Sequence, residues 1–289
     1  MTGDVDRACD SQGNNVTGST IVIGCGYLGM RVAAAWQTGG RRVHALTRGR
    51  EGLFSKAGIV PILGDVTDPS SLTGLPSVET VIYAVGLDRS VGKPMRAVYI
   101  DGLANVLDSL PTPARFLHVS SSSVYGQSAG EWVTEESPTE PTEESGKVVL
   151  EAERLLTARM PTAVILRFAG IYGPGRLLRE KAIRAGEPLV GDAEKWLNLI
   201  HVDDGVRAVL AAETRAVPGE IYNVADGEPV SRRDFYSELA RVLSAPPARF
   251  EPGQNARGES HRRVSNGKAR NRLGFALAYP NYQAGLAAC

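Results

Sequence analysis

The chain has 289 residues, 43% hydrophobic and 22% charged, with 32 basic residues balanced by 32 acidic ones. That length and composition fit one large α/β domain, with or without a smaller lobe. The even charge leaves no electrostatic footprint for nucleic acid or an anionic membrane surface. Cys9, Cys25 and Cys289 have neither metal-ligand spacing nor the density of a disulfide framework, which suits a reducing cytoplasm. No apolar run approaches the length of a membrane span, and the polar residues 1–18 read as a disordered leader, not a signal peptide.

The first strand, Ile21-Val22-Ile23, runs straight into Gly24-x-Gly26-x-x-Gly29. A helix beginning near Tyr27 and Leu28 carries on through Val32–Trp36, stops at Gly39-Gly40, and gives way to a second apolar run, Val43–Leu46. Strand, glycine turn, helix, stop and strand is the order of a dinucleotide-binding βαβ unit. Gly24 permits the tight turn, Gly26 lets the backbone close on a pyrophosphate, and Gly29 lets the helix sit against the strand. The helix start directs its N–H groups and positive dipole end at the phosphates.

About 20 residues beyond the glycines, an NAD site places an acid on the ribose 2′-hydroxyl. Here the segment is Thr47-Arg48-Gly49-Arg50. Either arginine alone reads as a solvated loop charge. With the acid missing, two guanidinium groups favour a 2′-phosphate, and so NADP(H) over NAD(H).

A short helix (residues 51–57) and a strand (59–63) follow, ending at Asp65 and Val66, which are expected beside the adenine. Asp68-Pro69 has the form of a helix cap and first position. The apolar run 80–85 carries Ala84 and Val85 towards the cofactor ribose, and residues 93–110 have helical apolar spacing. Phe116–Val119 is a further strand, and it runs into Ser120-Ser121-Ser122-Ser123-Val124-Tyr125-Gly126. Hydroxyls at that point lie on the carboxyl edge of a parallel sheet, where open α/β folds bind ligands.

With Leu166–Gly175, Asn198–Asp204, Ile221–Ala225 and Arg262–Asn266, the chain resembles the extended short-chain dehydrogenase/reductase superfamily, of the NAD(P)-dependent epimerase/dehydratase type. The likeness covers Ser19 to the C-terminus. It implies an α/β fold, a Rossmann-type doubly wound parallel sheet with a small mixed C-terminal substrate lobe. The Rossmann domain would span 19–168 and the lobe mainly 169–289, with 198–226 returning to the core. Phe168 and Ile171 are then expected at the cofactor, the substrate is a small molecule such as a sugar or sugar nucleotide, and helices 93–110 and 147–158 offer a homodimer face.

The superfamily uses Ser or Thr, Tyr and Lys, the tyrosine moving the proton while hydride passes to or from the nicotinamide. The resemblance assigns the hydroxyl to Ser121, with Ser122 in reserve, and the lysine to Lys147, which also holds the ribose. Where the tyrosine belongs stands Glu143, in Glu143-Glu144-Ser145-Gly146-Lys147. A carboxyl group of ordinary pKa, about 4.3, holds no proton to give at neutral pH. Tyr125 and Tyr172 are the alternative proton donors, each against the plainer reading of a packed phenol. Some dehydratases of the superfamily carry Asp and Glu where Ser122 and Ser123 stand, so glucose-type 4,6-dehydration is not expected.

No His, Cys and carboxylate cluster has metal spacing. His44 and His118 read as satisfied core histidines, His201 as a hydrogen-bonded strand end, and Asp203 as the cap of the next helix. Arg167 divides evenly between an ion pair and substrate orientation, and Arg262 and Arg263 between a substrate anion and solvent. The competing function is an NADP(H)-binding sensor or scaffold with impaired catalysis.

Overall fold

The computed structural model describes residues 18–252 and 261–289. All of the expected leader but Gly18, Cys9 included, lies outside the described residues. Seven strands form the main parallel sheet. Its order is Ile221–Val224, Val164–Phe168, β5 (Arg115–Ser121), β4 (Thr80–Tyr83), β1 (Ser19–Ile23), β2 (Arg42–Thr47) and β3 (Val60–Leu63). The chain divides into two compact units, residues up to His118 and residues from Val119.

In the first unit, β1 pairs in parallel with β2 (Ile21 opposite His44) and with β4 (Ile21 opposite Val81). Ile21, Val22 and Ile23 have no exposed surface. Burial on both faces is why β1 reads as a continuous apolar run and not an alternating one, and each such side chain contributes roughly 1.5–3 kcal/mol. Helix α1 spans Tyr27–Thr38 and buries Leu28, Val32, Ala33 and Trp36. The short α2 covers Glu51–Lys56. Asp68 caps the 3-10 turn Pro69–Leu72, accepting from Ser70 N at 3.1 Å.

The expected helix over 93–110 is not uniform. A π-helical turn, Ala97–Asp101, precedes α3, Gly102–Ser109. A Cβ on Gly102 would lie 2.8 Å from Val66 Cγ2, so glycine lets this segment close over Val66. Asn105 Nδ2 then fixes the turn after β3 by donating to Val66 O at 2.9 Å.

In the second unit, Val164–Phe168 runs parallel to Ile221–Val224, and α4 spans Glu144–Arg159. Trp132–Val133 pairs in parallel with Arg263–Val264, and α4 already begins at Glu144. A second core gathers Tyr172, Ile183, Phe235, Leu239 and Leu286.

The readings of Asp203, His44 and His118 change, and Asp204 takes a role of its own. The helix Val202–Arg215 starts two residues earlier than an Asp203 cap requires, and the cap is His201, whose Nδ1 accepts from Asp203 N at 3.3 Å. Asp204 is fully buried and acts at long range, accepting from Ala278 N and Tyr279 N at 2.8 Å each. His44 and His118 are buried as expected, but the Nδ1 of each lacks a hydrogen-bond partner among the described residues. Burial pushes the His118 imidazole down to about 4, which keeps it neutral at pH 7.

Candidate functional site

The glycine loop of the first unit is built by two steric demands. Gly24 has φ +96°, and a Cβ there would lie 2.5 Å from Val85 N. A Cβ on Gly29 would overlap the Gly24 carbonyl oxygen, so helix and strand meet only through glycine. Gly26 is the opposite case. It is exposed, and a Cβ would touch nothing within 4 Å. Gly26 is also the cap residue of α1, whose first turn has neither a side-chain cap nor an acidic residue. An open backbone at an uncapped, acid-free helix start fits a diphosphate.

Cys25 lies under the loop, its thiol raised to about 12 by burial, against the opposing pull of Arg50. It is therefore a small packing group and not a nucleophile.

Beyond β2, Thr47 is buried and its Oγ1 accepts from Arg50 N at 3.3 Å, which shapes the turn carrying both arginines. Arg50 Nη2 reaches back to the glycine loop and donates to Cys25 O at 2.7 Å. Arg48 pairs with Asp88 at 3.0 Å, both side chains being about half exposed, so that pair is easily exchanged for another anion. The structure thus brings Arg50 to the glycine loop and leaves Arg48 at the rim.

Asp65 is bonded to Thr67 and Lys93. Its Oδ1 takes Thr67 N at 2.9 Å and its Oδ2 takes Lys93 Nζ at 3.0 Å, while Lys93 also bonds Thr67 Oγ1. Partial burial works against ionisation, but the bonds from Thr67 and Lys93 outweigh it, and the carboxyl stays below its usual range. Val66 is buried, and Ala84 and Val85 are half-buried at the end of β4.

The second unit holds the serine turn. Ser121 is half-buried, and its Oγ caps the 3-10 turn Ser122–Val124 by accepting from Ser123 N at 3.1 Å. That bond uses an oxygen lone pair and leaves the hydroxyl proton for another acceptor. Ser122 is buried. Lys147 is exposed on the first turn of α4, three residues into the helix that Glu143 precedes, and Glu143 is exposed too. Gly146 packs α4 onto this turn, since a Cβ there would overlap Ser123 O. Phe168 is buried and Ile171 half-buried.

Neither candidate phenol is open. Tyr125 is 1% exposed; its hydroxyl donates to Asn223 Oδ1 at 2.8 Å and accepts from Arg167 Nη1 at 3.0 Å. Burial raises its pKa despite the nearby Arg167. Tyr172 is fully buried in the second core, edge-on to Phe235, and burial raises its pKa as well.

Arg167 resolves to the ion pair. Its Nε and Nη2 grip the Glu153 carboxylate at 3.0 and 2.7 Å, with both side chains 4% exposed. Burial disfavours the guanidinium, but Glu153 and Tyr125 reverse that, and its pKa stays above its usual value. Ser120 Oγ donates to the same carboxylate, and Glu135 Oε1 takes Asn223 N at 2.6 Å. Ser120, Glu153, Arg167, Tyr125, Asn223 and Glu135 therefore form one chain of hydrogen bonds.

Arg262 and Arg263 diverge. Arg263 lies over Trp132 and Trp196, its guanidinium carbon 5.2 and 5.4 Å from the two ring centres. Arg262 is buried and donates from Nη2 to Ser122 O at 2.6 Å. Among the described residues, no group of three or more His, Cys, Asp or Glu side chains is placed to hold a metal. No described helix is long and apolar enough to cross a membrane.

Glu153, Asn223 and Glu135 of this hydrogen-bond chain were not anticipated. Glu153 carries a signal in retrospect, an acid set three residues from Leu150 and from Leu156 on the apolar face of α4. Asn223 interrupts the apolar run of its strand.

The model of the NAD dependent epimerase/dehydratase family matches residues 20–225. Protein YeeZ of Escherichia coli K12 is 30% identical over 271 residues, covering 90% of this chain and 96% of its own. A dTDP-glucose 4,6-dehydratase of Streptomyces griseus is 27% identical over 241 residues, covering 74% of this chain and 72% of its own. Among solved structures, a functionally unknown conserved protein from Silicibacter pomeroyi is 28% identical with a TM-score of 0.76, over 94% of this chain and 98% of that one.

Proposed function

The chain belongs to the NAD dependent epimerase/dehydratase family, and from that premise we propose that it is a cytoplasmic NADP(H)-dependent oxidoreductase or epimerase acting on a carbonyl or alcohol of a sugar-like substrate. The observation that carries the reading is Arg50 on Cys25 O at 2.7 Å. A cation tied to the glycine loop, next to a strand end with no carboxylate, suits a 2′-phosphate and repels nothing that NADP(H) carries.

In this reading the N–H groups at the start of α1 hold the diphosphate, and Arg50 and Arg48 hold the 2′-phosphate, Arg48 leaving Asp88 to do so. Lys147 holds the nicotinamide ribose. The nicotinamide, when bound, supplies or accepts hydride. Ser121 donates its remaining hydroxyl proton to the substrate oxygen and so stabilises charge that builds there. Tyr125 stays in its buried network and fixes the turn by orientation alone. Proton exchange with solvent runs through the half-buried Ser121 edge, and positioning supplies much of the acceleration. Dehydration is outside the proposal despite the dehydratase relative, because Ser122 and Ser123 offer no carboxyl acid or base.

The exposed Glu143 and the buried Tyr125 and Tyr172 phenols favour a second reading, an NADP(H)-binding sensor without turnover. Titration calorimetry of the full chain separates the outcomes. NADPH is expected to bind at least about tenfold more tightly than NADH, a difference of roughly 1.4 kcal/mol, and Arg50→Ala with Arg48→Ala is expected to erase it. Turnover of NADPH with a carbonyl and nucleotide-sugar panel supports the enzyme. Tight binding with no turnover supports the sensor, and no heat with either nucleotide overturns both.

A further inference from the structure

The strand Ile221–Val224 leads into the turn Asp226-Gly227-Glu228, which faces the chain that leaves the helix Gly267–Leu273. Between them lies a cleft of about 670 Å³, wholly within the second unit. That volume suits a small molecule. Phe275, Leu277 and Pro280 supply an apolar wall, and Glu228 and Arg270 are exposed lining residues. None of the lining residues belongs to the serine turn or to the glycine loop.

Asp226 is the buried acid of this lining, 3% exposed. Its Oδ1 accepts from Glu228 N at 3.1 Å, which shapes the turn. Its Oδ2 is buried and has no hydrogen-bond partner among the described residues. A serine hydroxyl or an asparagine carbonyl would cap the same turn and bury no ionisable group. The turn therefore leaves the second oxygen unexplained. Burial first, then repulsion from Glu228 and Asp204, pushes this carboxyl up to about 8 against the bonds of its own turn, so it holds a proton at pH 7.

A donor that carries positive charge reverses each of these effects. It gives Oδ2 the missing hydrogen bond, and it turns Glu228 and Asp204 from repelling neighbours into attracting ones. Arg270 opposes it only from an exposed position, where water screens its charge. Among the described residues no group of three or more His, Cys, Asp or Glu side chains is placed to hold a metal, so the cation that fits is organic.

Both walls of the cleft are held by the fold itself. Asp226 N donates to Leu199 O at 2.8 Å, and Asn266 Nδ2 to Ala225 O at 2.8 Å. On the other side, Arg215 Nη1 donates to Leu273 O and Gly274 O at 2.7 and 2.9 Å, and Asp204 accepts from the amides of Ala278 and Tyr279.

We propose that this cleft is a binding site for an organic ammonium ion, whose N–H donates to Asp226 Oδ2 while its hydrocarbon part lies on Phe275, Leu277 and Pro280. The proton of the acid passes to solvent as the ammonium takes its place. The site needs neither a bound nucleotide nor the reading of Ser121.

The test uses the full chain, free of nucleotide and labelled with 13C and 15N, and follows the Asp226 carboxyl carbon at pH 7, assigned by its loss in Asp226→Asn. Phenethylammonium chloride is the probe, with phenethyl alcohol and sodium phenylacetate as neutral and anionic controls at constant ionic strength. The expected result is a saturable move of this carbon towards its carboxylate value with the ammonium and with neither control, accompanied by shifts of the Gly227 and Glu228 amides. Asp226→Asn keeps an acceptor for the turn and is expected to weaken the affinity read from those amides at least about tenfold. Glu228→Gln, a change at an exposed position, is expected to weaken it by a smaller factor. No saturable shift with the ammonium, an equal shift with the alcohol, tighter binding of phenylacetate, or unchanged affinity in Asp226→Asn overturns the proposal.

Discussion

Glu153 joins two buried side chains of the second unit, since its carboxylate meets Arg167 on two nitrogens and Ser120 on its hydroxyl. Glu153→Gln leaves the guanidinium buried with a neutral partner, and breaking a buried pair on one side costs about 3–5 kcal/mol. The urea midpoint is expected to fall accordingly. The double variant Glu153→Leu with Arg167→Met removes both charges and is expected to lose less than either single change, because neither ion is stranded. Equal losses in the single and double variants would show that packing, and not charge, sets the cost. An ion pair was one of the two sequence readings of Arg167, but the acid was not named. Arg167 was visible in sequence as a charge within an apolar strand, but its partner lies 14 residues away on a helix whose face only folding defines.

The element scale is where the sequence was most informative. The βαβ unit of β1, α1 and β2 depends on contacts between residues close in the chain, and glycine marks each place where a Cβ cannot fit. Gly29→Ala tests this directly, because the new methyl overlaps the Gly24 carbonyl oxygen and forces α1 away from β1. It is expected to weaken NADPH binding more than tenfold and to lower the melting temperature, whereas Gly26→Ala, with open space at its Cβ, should keep the melting temperature. The helix over 93–110 was harder to read. Apolar spacing placed it correctly, but nothing local signalled the π-helical turn Ala97–Asp101, which lies just before the contact of Gly102 with Val66, 36 residues earlier. The cap of Val202–Arg215 failed for a simpler reason. Asp is the commoner cap, yet here the histidine before the helix has the extended backbone and the accepting nitrogen.

Two buried ionisable groups give the whole molecule opposite responses to pH. Burial raises Asp226 to about 8 from an ordinary 3.8. The folded chain therefore keeps this proton where the unfolded chain has lost it, and the associated stability is present in acid and lost as pH rises through 8. His118 runs the other way: with its folded value near 4, stability is present above its unfolded value of about 6.5 and lost as pH falls towards 4. Asp226→Asn is expected to gain on the parent chain by on the order of 2–4 kcal/mol between pH 5 and pH 8, read as urea midpoints. A constant difference across that range would refute the assignment.

Asp204 carries a consequence for how the polypeptide is made. Its carboxylate, buried near the start of a helix at residue 202, takes one near donor, Arg207 Nη1 at 3.3 Å, and two distant ones, the amides of residues 278 and 279. During vectorial synthesis those amides emerge some seventy residues later. Until they clear the ribosome, the acid has only Arg207 of its own helix and stays hydrated, so its burial is timed to the arrival of residues 278 and 279 and not to the appearance of that helix.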